Sequence, residues 1–268
     1  MTSFQVPFTT FSPKSRVERP SQFSLKIDML FQDTVLAHGT GFLTKTKAGI
    51  VLITARHNLT GRHHETDKCL HTYSAVPDRI AVHFCVEEPN AHMFMAYEQP
   101  NYSNGQPLWF EHPKLGAKMD VVALPINSLP NITCYGLSVH EQIKDLVLRP
   151  TSRVNVIGYP DMGTSEQKKH KFPVWATGFI ASEPNIYQED TFLVDCRGRS
   201  GQSGAPVIQY FADGQVSLPL ASGGASIVMY GQPMIHFAGL YAGRISKDSD
   251  LGIVWKASQI QELVASIS

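Results

Sequence analysis

Residues 199–206 read Arg-Ser-Gly-Gln-Ser-Gly-Ala-Pro, with Ser203 between two glycines and a proline closing the run. A serine hydroxyl is a weak nucleophile at neutral pH and needs a base to take its proton, usually a histidine. The base needs an orienting group on its other ring nitrogen, usually a carboxylate, and the developing oxyanion needs fixed donors. The chain supplies a candidate for each role. His57 lies in LITARHN, where the apolar residues Leu52 and Ile53 lead into a turn able to hold a side chain rigidly. Asp120 opens the stretch DVVALPI, at the mouth of a strongly apolar strand. Gly201 can adopt backbone angles closed to other residues, so its N–H and that of Ser203 can form an oxyanion hole. Ser200 competes as nucleophile but stands on the wrong side of Gly201.

Each feature also has an ordinary reading. A glycine-bracketed serine suits a flexible loop, and an aspartate before a strand suits a turn cap. Of the eleven histidines, His63, His64 and His71 fall in a polar loop and read as solvated. They lack further ligands at metal-binding spacing, so neither metal nor organic cofactor is expected. What favours chemistry is the combination, in the chain order His57, Asp120, Ser203, with each residue at a strand edge.

The elements that must position these residues read as all-β. Short apolar runs recur between Gly, Pro, Asn and Asp, the pattern of a barrel or sandwich. Segments 41–46 and 50–53 flank Lys47-Ala48-Gly49 as a hairpin. Further strands are expected over 79–86, 121–126, 153–159, 173–181, 191–196, 205–211, 236–241 and 251–255. Residues 87–118 are polar and read as a long surface loop. A break between halves falls in 127–152, with an amphipathic piece suited to a linker helix. Ser258 and Gln261 have capping-box spacing, and Ile260, Leu263, Val264 and Ile267 follow a helical stripe.

Composition narrows the function class. The 268 residues carry 23 Lys+Arg and 23 Asp+Glu, so the formal net charge is zero, which argues against a nucleic-acid surface. The first twenty residues lack a basic segment followed by an apolar one, so no secretory signal is read. No apolar run is long enough to span a bilayer, and no membrane role is expected. Cys69, Cys85, Cys134 and Cys196 are scattered, with no Cys-x-x-Cys, which fits a reduced, cytoplasmic compartment.

On these motifs the sequence resembles the chymotrypsin-like, or trypsin-like, serine protease family. GTGFLT (39–44) with LITARHN is similar to that family's first hairpin and catalytic histidine, DVVALPI to its aspartate segment, and GQSGAP to its nucleophile loop. FAGLYAG (237–243) resembles the strand that pairs with substrate backbone. The resemblance implies two six-stranded antiparallel β-barrels and a C-terminal helix. The corresponding division is an extension over 1–29, a barrel over 30–135 with His57 and Asp120, a barrel over 136–256 with Ser203, and a helix over 257–268.

Two positions depart from the secreted digestive branch, which has a cysteine after the histidine and an aspartate before the serine. Asn58 and Gln202 stand there, so activation by N-terminal clipping is not implied, and the likeness is closer to the bacterial intracellular branch. The family role is peptide-bond hydrolysis through a Ser203/His57/Asp120 triad, with a polypeptide substrate and room for a regulatory protein partner. Its primary pocket maps to 197–202, 240–243 and the region of Gly252. Arg197, Gln202, Tyr241, Ala242 and Gly243 are thereby implied in substrate binding, although Arg197 also suits solvent or Asp195. The alternative from a different class is a catalytically silent protease-like module that binds peptides or a partner. An esterase elbow is excluded because Ala205 stands where its second glycine is needed and Pro206 would break the following helix.

Overall fold

The computed structural model describes residues 17–88, 91–126, 135–162, 171–186, 188–220, 222–246 and 248–268. A short helix, α1 (Arg19–Phe23), leads into the first half. Its strands are β1 (Ser24–Phe31), β2 (Thr34–Lys45), β3 (Ile50–Thr54), β4 (Arg79–Glu88), β5 (Ala91–Pro100), the small hairpin β6 (Tyr102–Ser103) and β7 (Gln106–Pro107), and β8 (Val122–Pro125). Six of them form one antiparallel sheet in the order β5-β4-β1-β2-β3-β8. The sheet curls until its outer strands meet through a side chain, the Gln99 amide donating to the Pro125 carbonyl. The free side of β8 is occupied by Phe110, which exchanges two backbone hydrogen bonds with Ala123.

Period-two burial explains this half. Leu25, Ile27, Ile80, Val82 and Phe84 point into one core with Leu52 of β3. Val51 and Ile53 point the other way, into a second core shared with Phe42, Leu240 and Trp255. β3 is therefore buried on both faces, which is why it reads as an unbroken apolar run ending at Thr54.

The second half is a closed barrel of β9 (Arg153–Gly158), β10 (Val174–Ile180), β11 (Thr191–Asp195), β12 (Ala205–Phe211), β15 (Met234–Arg244) and β16 (Leu251–Lys256). A hairpin of β13 (Gln215–Pro219) and β14 (Ala225–Met229) projects from it. The terminal helix, α3 (Ala257–Ala265), packs Ile260, Leu263 and Val264 into the core between the halves. The all-β architecture with a C-terminal helix is as expected. Among the described residues no helix is long and apolar enough to cross a membrane.

Four expectations change. Residues 91–100 form β5 rather than loop, pairing with β4 from Arg79↔Pro100 to Glu88↔Ala91. β5 is an outer strand whose apolar residues, Met93, Phe94, Met95, Ala96 and Tyr97, run together without period-two alternation inside a polar stretch, so the pattern does not mark it. Residues 135–152 hold turns and no helix; residues 127–134, with Cys134, lie outside the described residues. β1 begins at Ser24, inside the segment read as an extension, and joins the sheet. α3 starts at Ala257 with Lys256 as N-cap and no side-chain cap, so Ser258 lies inside the first turn. β16 runs directly into the helix, and burial of Trp255 and Ile260 sets the entry in place of a capping box.

Candidate active site

β3 ends at Thr54, and the chain turns through Ala55 into a one-turn helix, α2 (Arg56–Thr60), which carries His57. Gly61 closes that helix in the left-handed region at φ 62°, its N–H bonded to the His57 carbonyl. Asp120 lies just before β8, the strand paired with β3, so the two side chains are brought together by adjacent strand ends. His57 Nδ1 is 2.7 Å from Asp120 Oδ2, and the His57 backbone N–H donates to Oδ1 at 2.9 Å. Asp120 is 1% exposed, so its charge faces the imidazole with little screening. Burial of the ring opposes its charged form, but the charge and hydrogen bond of Asp120 outweigh this and raise the imidazole pKa above its ordinary 6.5.

Ser203 comes from the turn before β12. Gly201 and Gly204 both have φ 90°, a left-handed conformation in which a side chain would be strained. Space forbids one as well. A Cβ on Gly204 would lie 2.0 Å from the Thr40 carbonyl oxygen, and one on Gly201 would lie 2.3 Å from that of Tyr159. The turn is stitched to the first half of the chain. Thr40 N–H donates to the Ser203 carbonyl at 2.9 Å, and Thr40 Oγ1 donates to the Gly201 carbonyl at 2.7 Å. Asn58 Nδ2 donates to the same Ser203 carbonyl at 3.0 Å. Thr54 Oγ1 in turn donates to the Thr40 carbonyl at 2.7 Å. These bonds hold the serine turn against the histidine helix.

The carbonyls of this turn point away from the cleft, and two amides are left over. Ser200 O accepts from Asp161 N at 2.7 Å, and Gly204 N–H donates to Tyr241 O at 2.8 Å. Among the described residues, the N–H groups of Gly201 and Ser203 donate to no protein acceptor. Two unengaged, fixed amides beside a hydroxyl are what a developing oxyanion needs. Gln202, at 1% exposure, turns its side chain inward, and its Oε1 accepts from Arg199 N at 2.8 Å.

His57 and Ser203 line two shared cavities. One, of about 250 Å³, runs past Met29, Leu36, His38 and Pro77. The other, of about 210 Å³, runs past Asp120, Ala242, Gly243 and Arg244. Among the described residues no hydrogen bond joins His57 Nε2 to Ser203 Oγ; in unliganded sites such bonds are often long or poorly aligned. No group of three or more His, Cys, Asp and Glu able to hold a metal occurs among the described residues.

His57, Asp120, Ser203, Gly201, Ala242 and Gly243 thus meet in one cleft, with Gly243 so close that a Cβ there would lie 3.6 Å from Ser203 Oγ. Arg197 is exposed and lines neither cavity, Gln202 is occupied within its own turn, and Tyr241 contributes its carbonyl and a buried ring. Thr40, Thr54 and Asn58 were not legible as site residues. Their only signal was adjacency to GTGF and LITARH, and polar residues beside such motifs are too common to single out.

No protein-family model matches the chain, and no curated protein matches it. Solved structures similar to it include the Rv3671c protease from M. tuberculosis in its active form, at 17% identity and TM-score 0.48, over 97% of this chain and 95% of that one. The protease Anisep from Arthrobacter nicotinovorans is similar at 15% identity and TM-score 0.49, over 92% of this chain and 95% of that one.

Proposed function

We propose that the chain is a trypsin-like serine endopeptidase acting on polypeptides. The observation that carries this reading is the His57–Asp120 pair, 2.7 Å apart, facing the cavities that Ser203 also lines. In the proposed cycle Ser203 Oγ bonds to the scissile carbonyl carbon while its proton passes to His57 Nε2. Asp120 holds the Nδ1–H tautomer and stabilises the imidazolium. The N–H groups of Gly201 and Ser203 bind the oxyanion. The C–N bond then breaks, the proton passes from His57 to the leaving amine, and an acyl-enzyme remains. Water, deprotonated by His57, attacks the acyl carbon and releases the acid with Ser203 restored.

The test is labelling by a fluorophosphonate probe, with wild type beside Ser203→Ala and His57→Ala. Labelling of wild type alone is the expected result, with a loss on the order of 10⁴-fold in turnover for either variant. The alternative is a catalytically silent module that binds peptides or a partner in the same cleft. Folded wild-type protein that takes no label would support it and overturn the enzyme reading.

A further inference from the structure

Among the described residues, Tyr241 is one of the largest fully buried side chains, at 1% exposure, and its hydroxyl has no hydrogen-bond partner. A buried hydroxyl without a partner is costly, so a residue placed this way needs a reason. Its backbone is next to the reactive turn, since its carbonyl accepts from Gly204 N–H. Its ring runs from β15 across to two glycines on either side. A Cβ on Gly198 would lie 1.8 Å from Tyr241 Oη and 2.8 Å from Cζ. A Cβ on Gly252 would lie 2.2 Å from Cε2 and 3.0 Å from Oη. The Cβ directions of both glycines therefore converge on the ring, which fills the gap between the 198–201 turn and β16. Neither cavity that opens on Ser203 is lined by Tyr241, Gly198 or Gly252.

This gap adjoins the reactive turn, since Gly198 stands three residues before Gly201 and the Tyr241 carbonyl accepts from Gly204 N–H. In a substrate whose carbonyl oxygen rests on the amides of Gly201 and Ser203, with its leaving amine toward His57, the acyl-side residue would pass beside the reactive turn and β15, because a Cβ on Gly243 would lie only 3.6 Å from Ser203 Oγ. We infer that Tyr241 occupies the space that residue's side chain would otherwise enter, and that the protein acts on chains with a small residue, glycine, alanine or serine, on the acyl side of the cleaved bond. The inference rests on the serine peptidase reading and specifies its substrate class. It differs from a pocket read by Arg197, which is exposed and lines neither cavity.

The experiment profiles the full chain against a peptide library varied at the acyl-side residue. Fluorophosphonate labelling, which needs no peptide side chain, runs in parallel. Wild type is expected to favour Gly, Ala and Ser over Leu, Phe and Arg by about 100-fold in kcat/KM. Tyr241→Ala, opening the gap, should raise cleavage after Leu and Phe by about tenfold or more, whereas Tyr241→Phe, which keeps the ring, should retain the wild-type order. Wild type that labels yet prefers Leu, Phe or Arg overturns the inference. So does an unchanged profile in Tyr241→Ala protein that still labels. If Tyr241→Ala does not fold, Tyr241→Val replaces it, and the wild-type profile decides alone if neither does. Wild type that takes no label instead overturns the peptidase reading.

Discussion

Replacing Asp120 by asparagine tests the chemistry of the cleft more sharply than removing the serine, because shape is kept while one proton is redirected. Asp120 accepts twice, from His57 N–H at Oδ1 and opposite Nδ1 at Oδ2, at 2.9 and 2.7 Å. An asparagine has one acceptor oxygen. If it stays on the His57 backbone N–H, the NH₂ faces Nδ1 and makes that nitrogen an acceptor. The ring proton then sits on Nε2, which can no longer take the proton of Ser203. Labelling and peptide turnover should fall by about 10⁴-fold, while the melting temperature changes little because Asp120→Asn is isosteric. The pH profile adds a second readout. Wild-type activity needs neutral His57, and Asp120 raises the imidazole pKa, so the acid limb of kcat/KM should have its midpoint above pH 6.5. Residual activity of Asp120→Asn should titrate at lower pH, its raising partner being gone. An Asp120→Asn protein within tenfold of wild type, or a wild-type limb below pH 6.5, would refute the assignment of Asp120 as the orienting group.

Two further outcomes are expected. Gln202→Ala removes the acceptor of Arg199 N–H at 2.8 Å within the reactive turn and should cost about 1–3 kcal/mol in urea unfolding. It should also slow probe labelling at unchanged cavity shape, and Gln202→Glu, which can still accept, should restore part of the rate. Asp28 lies 2.6 Å from His38 Nδ1, 2.7 Å from His83 Nε2 and 2.8 Å from Lys26 Nζ. Burial works to raise its pKa, but hydrogen bonds from His38, His83 and Lys26 outweigh it and hold the carboxyl well below the ordinary 3.8. The carboxylate therefore contributes its stability in full above that ordinary value, and the contribution is lost as pH falls below it. Asp28→Asn should lower stability at pH 7 by about 1–2 kcal/mol, the network being only partly buried, and flatten the acid decline below about pH 4, read by thermal melts across pH.

The first half of the chain illustrates what can be read from residues and what cannot. β3 was legible because it is apolar on both faces, and β12 because Ala205–Phe211 is a buried run closed off by turn residues. β5 was not, since an outer strand takes its order from the backbone of β4 and needs no apolar alternation. The helix stripe was visible in Ile260, Leu263 and Val264, but its start was set by the strand that runs into it.

The sequence by itself determined the local chemistry: a serine in a turn only glycine permits, a histidine after a buried strand, and a carboxylate before another. These depend on side-chain type and on short-range backbone freedom, which neighbours along the chain carry. Only the tertiary structure decided the rest. It brought Thr40, Thr54 and Asn58 onto the serine turn from across the molecule, turned Gln202 inward to serve its own loop, and drove the ring of Tyr241 between Gly198 and Gly252. Those contacts join residues far apart in the chain, and a hydrogen bond or a filled gap depends on distances that spacing along a sequence does not encode.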